Sequence, residues 1–216
     1  MKHITFYFDV VSPYAYLAFE QLPEALRGIS CNVIYRPVLF AGLLKHYGQL
    51  GPAEIAPKRE WTYRHVQWLA HTAGIALHMP LSHPFNPLPL LRLALACHPE
   101  SPGQANRYVC ESILRHIWRG GLEATDPQRF EALDKQLSPS ADSQSSNIKE
   151  NLKENTQLAI SKGLFGVPSI EVDGKMFWGN DALPMLRDYL TGGPWFEGRS
   201  WQTASEVSLG ASRCAF

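Results

Sequence analysis

Residues Ile4–Phe19 read ITFYFDVVSPYAYLAF, and the change of pattern inside this stretch decides the fold. Ile4–Phe8 is a run of β-branched and aromatic residues, which suits a buried strand. Asp9–Ser12 interrupts it. Pro13 has no N–H to leave unpaired and a preset φ, both of which favour a first helical turn. Tyr14, Leu17, Ala18 and Leu22 then follow at helical spacing. The stretch predicts strand, turn and helix, with Ser12 as the N-cap at the carboxyl end of the strand. That end is a favoured binding location in open α/β sheets, and a helix start carries the positive end of the macrodipole. A hydroxyl there can donate to an anion, or it can simply cap the helix; the stretch alone leaves both readings open.

Working outward, the first helix ends near Arg27-Gly28 and Cys31–Pro37 (CNVIYRP) alternates like a second strand. Strand, helix, strand is a βαβ unit with a parallel pair. A block of helices follows: Phe40–Tyr47, Lys58–Ala73 with Trp61, His65, Trp68 and Leu69 as one face, Leu88–Cys97, Gly103–Arg119, Asp126–Gln136 and Ile148–Lys162. Met79–Pro89 is a proline-rich loop holding Phe85 and Asn86. The period then changes. Gly166–Val172 (GVPSIEV) reads as a strand, Asp173-Gly174 as a two-residue hairpin turn and Lys175–Trp178 as the return strand. Gly179-Asn180-Asp181 caps a last helix, Ala182–Leu190. A βαβ and a ββα share one sheet only if the helical block is an insertion between them. The fold class is therefore α/β, a thioredoxin-like sheet with a large inserted all-helical domain. Residues 1–39 and 164–192 form the thioredoxin-like domain, 40–163 the insertion, and 193–216 an irregular tail, with Ser205–Phe216 expected to be disordered.

The 216 residues suffice for such an arrangement. Twenty basic residues balance twenty acidic ones, so no polyanion such as nucleic acid is implied as a partner. No apolar run approaches the roughly 18 residues of a membrane span, and Lys2 runs straight into a strand with no leader pattern, so a cytoplasmic location is expected. Cys31, Cys97, Cys110 and Cys214 form no CxxC and no zinc-like spacing, and the eight histidines include no HExxH; no metal is expected.

Two further sites complete the pattern. Proline at the start of an inner strand removes a ladder donor. A cis Val167–Pro168 bond would accommodate it and open the Val167 backbone to an added peptide strand; an ordinary edge-strand proline is the competing reading. Asn180 and Asp181 either hold a carboxylate and an ammonium or act as N-cap and first-turn acid. An anion position, a peptide-pairing position and an amino-acid position, in that order, suit a small γ-glutamyl peptide thiol. Glutathione has these groups.

FYFDVVSPYAYLAF, GVPSIEVDGK and FWGND resemble the 2-hydroxychromene-2-carboxylate isomerases, relatives of kappa-class glutathione transferases in the DsbA-like branch of the thioredoxin fold. The resemblance covers roughly Thr5–Leu190. It implies that Ser12 hydrogen-bonds the glutathione sulfur and is the catalytic residue. It replaces the cysteine of redox members, so Ser12-Pro13-Tyr14-Ala15 stands where they have CxxC and no disulfide can be exchanged. It further implies that Pro168 is the cis-proline, Val167 the backbone partner, and Asn180 and Asp181 the γ-glutamyl site. The family usually has serine or glutamine where Asn180 stands, and often an arginine where Ala182 stands. Pro57-Lys58-Arg59 resembles a proline-basic segment whose lysine reaches the active site. Lys58, with Arg59 second, is the candidate for a small aromatic carboxylate substrate. Trp61, Phe85 and Phe40 are candidates for its aromatic wall and Asn86 for its oxygens. The expected reaction is glutathione-dependent cis–trans isomerisation; a kappa-type transferase and a non-catalytic thioredoxin-fold binding domain are the alternatives. Relatives imply a homodimer.

Overall fold

The computed structural model describes residues 1–208 and 210. Strands β1 (Lys2–Phe8) and β2 (Cys31–Pro37) flank helix α1 (Pro13–Ala25). Six helices follow: α2 (Phe40–His46), α3 (Ala56–Ala73), α4 (Leu88–Ala96), α5 (Arg107–Trp118), α6 (Pro127–Leu137) and α7 (Ser146–Ser161). Strands β3 (Ser169–Val172) and β4 (Lys175–Trp178) and helix α8 (Leu183–Leu190) close the sheet domain, and α9 (Arg199–Thr203) lies beyond it. The sheet order is β2-β1-β3-β4. β1 runs parallel to β2, with Phe6 opposite Tyr35, and antiparallel to β3, with Phe6 opposite Ile170. This is the βαβ plus ββα sheet of a thioredoxin-like fold, with helices inserted between its halves.

Alternation along β1 sets the layers. Ile4, Phe6 and Phe8 point into a core shared with Ala15, Leu17, Phe19 and Leu22 of α1 and Leu183 and Leu186 of α8. Burying each of these large side chains contributes roughly 1.5–3 kcal/mol. Tyr7 points the other way and joins Val38, Leu43, Ala159, Leu164 and Val167. Helix α7 therefore covers the second face of the sheet while also packing on α4; it serves both the sheet and the helical block.

Several boundaries differ from expectation for local reasons. α5 begins at Arg107 rather than Gly103, because the Asn106 side chain accepts from the Val109 N–H and caps it there. β3 begins at Ser169 rather than Gly166, since Gly166–Pro168 make the turn into the strand. The tail is not irregular throughout: Pro194–Glu197 and α9 form helical turns whose Trp195, Phe196 and Trp201 pack edge-on against one another, with Phe196 also on Phe177 and Tyr189. The expectation of disorder over Ser205–Phe216 falls mostly on residues outside those described. Among the described residues no helix is long and apolar enough to cross a membrane.

Candidate active site

Ser12 sits in extended conformation at the N-cap of α1, and its Oγ accepts from the Ala15 N–H at 3.2 Å. The cap therefore uses an Oγ lone pair and leaves the hydroxyl proton available. The nearest acceptor for that proton is the Val167 carbonyl, at a long 3.5 Å. The turn before Ser12 is held by Asp9, which is fully buried. Its backbone carbonyl accepts from the Ser12 N–H at 3.1 Å. Its carboxylate accepts from the Val11 N–H at 3.0 Å and the Phe40 N–H at 2.8 Å. Phe40, a candidate for the aromatic wall, thus ties α2 to the turn through its backbone.

Burial pushes the Asp9 carboxyl from 3.8 up to about 7, against the pull of those N–H donors. The folded protein holds this proton more tightly than the unfolded chain does. The contribution of Asp9 is therefore complete below about pH 4 and is lost as pH rises through about 7, at up to about 1.4 kcal/mol per pH unit. Asp9→Asn removes that slope. In denaturant titrations across this range, the variant's unfolding free energy is expected to gain on the parent's as pH rises; a constant difference would place the titration elsewhere.

Val167–Pro168 is cis, as expected. The Val167 N–H donates to no acceptor among the described residues, and its carbonyl has only the long contact to Ser12. This is an open backbone pair at the edge of the turn. The Pro168 carbonyl accepts from the Gly179 N–H and the Ser169 hydroxyl donates to the Gly166 carbonyl, which fixes the turn from behind. The Trp178 indole lies so close to Gly166 that a Cβ there would sit 2.5 Å from Nε1. Trp178 and Phe165, both exposed, pack together at 4.7 Å between centroids and wall this edge.

Asn180 meets α1 at Gln21 in its third turn, and Asp181 lies within electrostatic reach of Tyr14 in its first. Gly179 turns the chain with φ 98°, and a Cβ there would collide with Asp181 Oδ1. Asn180 is not an N-cap: its Oδ1 accepts from Gln21 Nε2 at 3.0 Å, and its backbone opens a single 3-10 turn ahead of α8. Gln21 so orients the buried amide that its Nδ2–H donors have no partner among the described residues. Asp181 is exposed and acts on the Tyr14 hydroxyl, which burial raises and the carboxylate raises further.

The helical block contributes the other side. Lys58 and Arg59 stand exposed in the first turn of α3, and neither forms an ion pair among the described residues. Arg59 lines a surface cleft with Ala56, Pro57, Glu60 and Tyr63. The buried face of α3 is shifted from the expected one: Thr62, Val66 and Ala70 are buried and Leu69 packs on the core, whereas Trp61 is 66% and Trp68 59% exposed. Trp61, His65 and Trp68 stack in one ladder, and His65 Nδ1 meets the Tyr14 hydroxyl at 2.9 Å. Phe85 is half-buried against His83. Asn86 is exposed, and its Oδ1 is engaged by the Leu88 N–H at the start of α4. The structure thus brings Ser12 and Val167 together and sets Asn180 against the third turn of α1 and Asp181 toward its first; Asn86 has a local structural task. Sequence reasoning missed Gln21 and Tyr63, which carry no motif, and gave Tyr14 and His65 no role in the site; their hydrogen bond is visible only once α1 and α3 are packed.

Among the described residues no group of three or more His, Cys, Asp or Glu is placed to share a metal ion. Burial raises the Cys97 thiol to about 11 and the Cys110 thiol further, so neither is an activated nucleophile.

Comparison with known proteins follows the geometry. Residues 3–191 match the model of the DSBA-like thioredoxin domain. A 2-hydroxychromene-2-carboxylate isomerase of Sphingobium xenophagum is 30% identical over 197 residues, 88% of this chain and 98% of the relative. A glutathione S-transferase kappa 1 of Homo sapiens is 27% identical over 90% of this chain and 92% of the relative. A solved 2-hydroxychromene-2-carboxylate isomerase structure superposes with a TM-score of 0.74 at 22% identity, covering 95% of this chain and all of that one. The chain belongs to the DsbA-like thioredoxin-fold family, in the group formed by the 2-hydroxychromene-2-carboxylate isomerases and their kappa-class glutathione transferase relatives.

Proposed function

We infer that this chain is a glutathione-dependent cis–trans isomerase. It converts 2-hydroxychromene-2-carboxylate to trans-o-hydroxybenzylidenepyruvate, a step of naphthalene-type aromatic catabolism. The observation that supports this reading is the pairing of a free Ser12 hydroxyl proton with the open Val167 backbone at the N-terminus of α1. These groups suit a γ-glutamyl peptide thiol: hydroxyl and helix dipole for a sulfur anion, Val167 N–H and C=O for the peptide, Asn180 and Asp181 for the amino-acid end. Glutathione held there would supply a thiolate that adds reversibly to the unsaturated α-keto acid formed when the hemiketal ring opens to its phenol, so that the former double bond can rotate before the thiolate leaves without net use of thiol.

The residues of the chain supply the rest. Ser12 donates to the sulfur anion while Ala15 N–H holds its oxygen in place. Val167 orients the peptide, and Asn180 offers its two amide hydrogens to the α-carboxylate. The sequence points first to Lys58 as the cation for the substrate carboxylate; because Arg59 lines the cleft and Lys58 does not, Arg59 is placed first here with Lys58 beside it, and Trp61 and Phe85 supply aromatic surface. A charge-assisted hydrogen bond contributes about 1.5–3 kcal/mol. Because Arg59 lines the cleft, Arg59→Ala is expected to raise KM for the carboxylate substrate about tenfold or more, and Lys58→Ala by less than about threefold, with glutathione affinity unchanged in both. Equal effects would remove Arg59 from this role.

The assay that tests the whole reading mixes enzyme, glutathione and the chromene. A changing chromophore at constant free thiol is the expected result. Falling thiol assigns a kappa-type transferase instead, and no turnover with no glutathione binding overturns the reading.

A further inference from the structure

The turn that presents Ser12 is held from outside the sheet by two ring N–H groups of the helical block. Trp118 Nε1 donates to the Val10 carbonyl at 3.1 Å, and His83 Nε2 donates to the Val11 carbonyl at 2.8 Å. His83 belongs to the proline-rich loop and, among the described residues, makes no other hydrogen bond to the sheet domain. Donation to a carbonyl fixes its Nε2–H, and Nδ1 faces the Tyr63 hydroxyl at 2.8 Å. The same hydroxyl lies 2.9 Å from the His83 carbonyl, so its single proton is shared between Nδ1 and that carbonyl, and Tyr63 sits against both the ring and the backbone of His83. Trp118 at 5.6 Å and Phe85 at 6.1 Å between ring centroids confine the imidazole.

The consequence lies in the Val11–Ser12 peptide. In a trans peptide plane C=O and N–H point in opposite directions. Here the C=O is held by His83 and the N–H by the Asp9 carbonyl, so the plane is clamped at both ends. Turning that plane would change the Ser12 φ of −90° and break the Ser12 N–H bond to the Asp9 carbonyl that, with the Ala15 N–H, sets Oγ at the start of α1. It would also release a carbonyl dipole whose negative end repels an anion at the start of α1.

We propose that His83, oriented by Tyr63, is a positioning residue for the sulfur-anion site: its Nε2–H holds the Val11 carbonyl away and so aims the Ser12 hydroxyl. The proposal rests on the glutathione reading above. Tyr63 also lines the cleft that holds Arg59, so hydrogen bonds from Tyr63 to His83 and from His83 to Val11 connect that cleft to the turn carrying Ser12.

The test titrates the ultraviolet thiolate band of protein-bound glutathione against pH, alongside glutathione affinity and thermal melting, in the parent and three variants. His83→Phe keeps a ring but loses the donor. It is expected to raise the pKa of the bound thiol by about one unit, a tenfold loss of thiolate, with affinity for total glutathione changed less than about threefold. His83→Gln retains an Nε2–H and is expected to lie within about 0.3 unit of the parent, a rescue that a merely space-filling role would not give. Tyr63→Phe, which removes one hydroxyl and tests the chain if His83→Phe fails to fold, is expected to shift the thiol about threefold in the same direction. A parent-like thiol pKa in folded His83→Phe, or in Tyr63→Phe where the former is unfolded, overturns the positioning role while leaving the glutathione site intact. A parent that binds no glutathione overturns the functional reading and this inference with it.

Discussion

Ser12→Ala is expected, under the proposed function, to lower the rate of isomerisation about 10²–10³-fold, the scale of removing one preorganised donor to a developing or bound anion. Oγ is the only side-chain atom at the start of α1 that accepts from Ala15 N–H and retains a proton to give. Alanine removes both functions. Loss of the cap costs about 1 kcal/mol of stability, so the melting point falls by a few degrees while the fold persists. Ser12→Gly separates the two effects, since glycine caps nearly as well as serine. It is expected to match alanine in rate and the parent in melting temperature. Steady-state kinetics at saturating glutathione and a thermal melt on each variant check both. A Ser12→Gly variant within a few-fold of the parent rate would strip Ser12 of its role and leave a capping residue.

Trp118→Ala destabilises the protein by about 3–5 kcal/mol, in the range for truncating a large buried aromatic. Trp118 is the largest fully buried side chain; it stacks on Tyr16 at 6.4 Å and contacts His83. Its removal leaves a cavity where α5, α1 and the loop before α4 converge, and leaves the Val10 carbonyl without its donor. For a chain of this size each kcal/mol moves the melting temperature by about 2–4 °C, so a fall of roughly 10 °C is expected. Trp118→Phe fills most of the volume but not the hydrogen bond, and is expected to lose about 1–3 kcal/mol. Denaturant unfolding of the three proteins checks the ordering; a loss under about 1 kcal/mol for alanine would mean that the site collapses without strain.

The sheet was legible because its signals are local. The aromatic run Ile4–Phe8, Pro13 after Ser12 and the Asp173-Gly174 turn each specify one element within a few residues. Order followed from the change of period on either side of the helical block. The helices were legible as helices but not by face. Trp61, His65 and Trp68 share a stripe with high apolar content, yet the smaller Thr62, Val66 and Ala70 face the core, while the two indoles stack on opposite sides of the His65 ring at the surface. Asn180 misled for a related reason: the residue type suits an N-cap, and only Gln21, one helix away, shows that its oxygen is already engaged. Nothing near His83 in the chain indicates that it reaches Val11, 72 positions earlier.

The clamp on residues 10 and 11 bears on how such proteins can be recombined. Grafting the helical block of one relative onto the sheet of another transfers the two ring donors along with it, and a graft lacking either would leave a main-chain oxygen dangling directly upstream of the serine. Swaps at the β2–α2 and α7–β3 junctions would therefore need matched pairs of turn and block, as a key is cut for one lock.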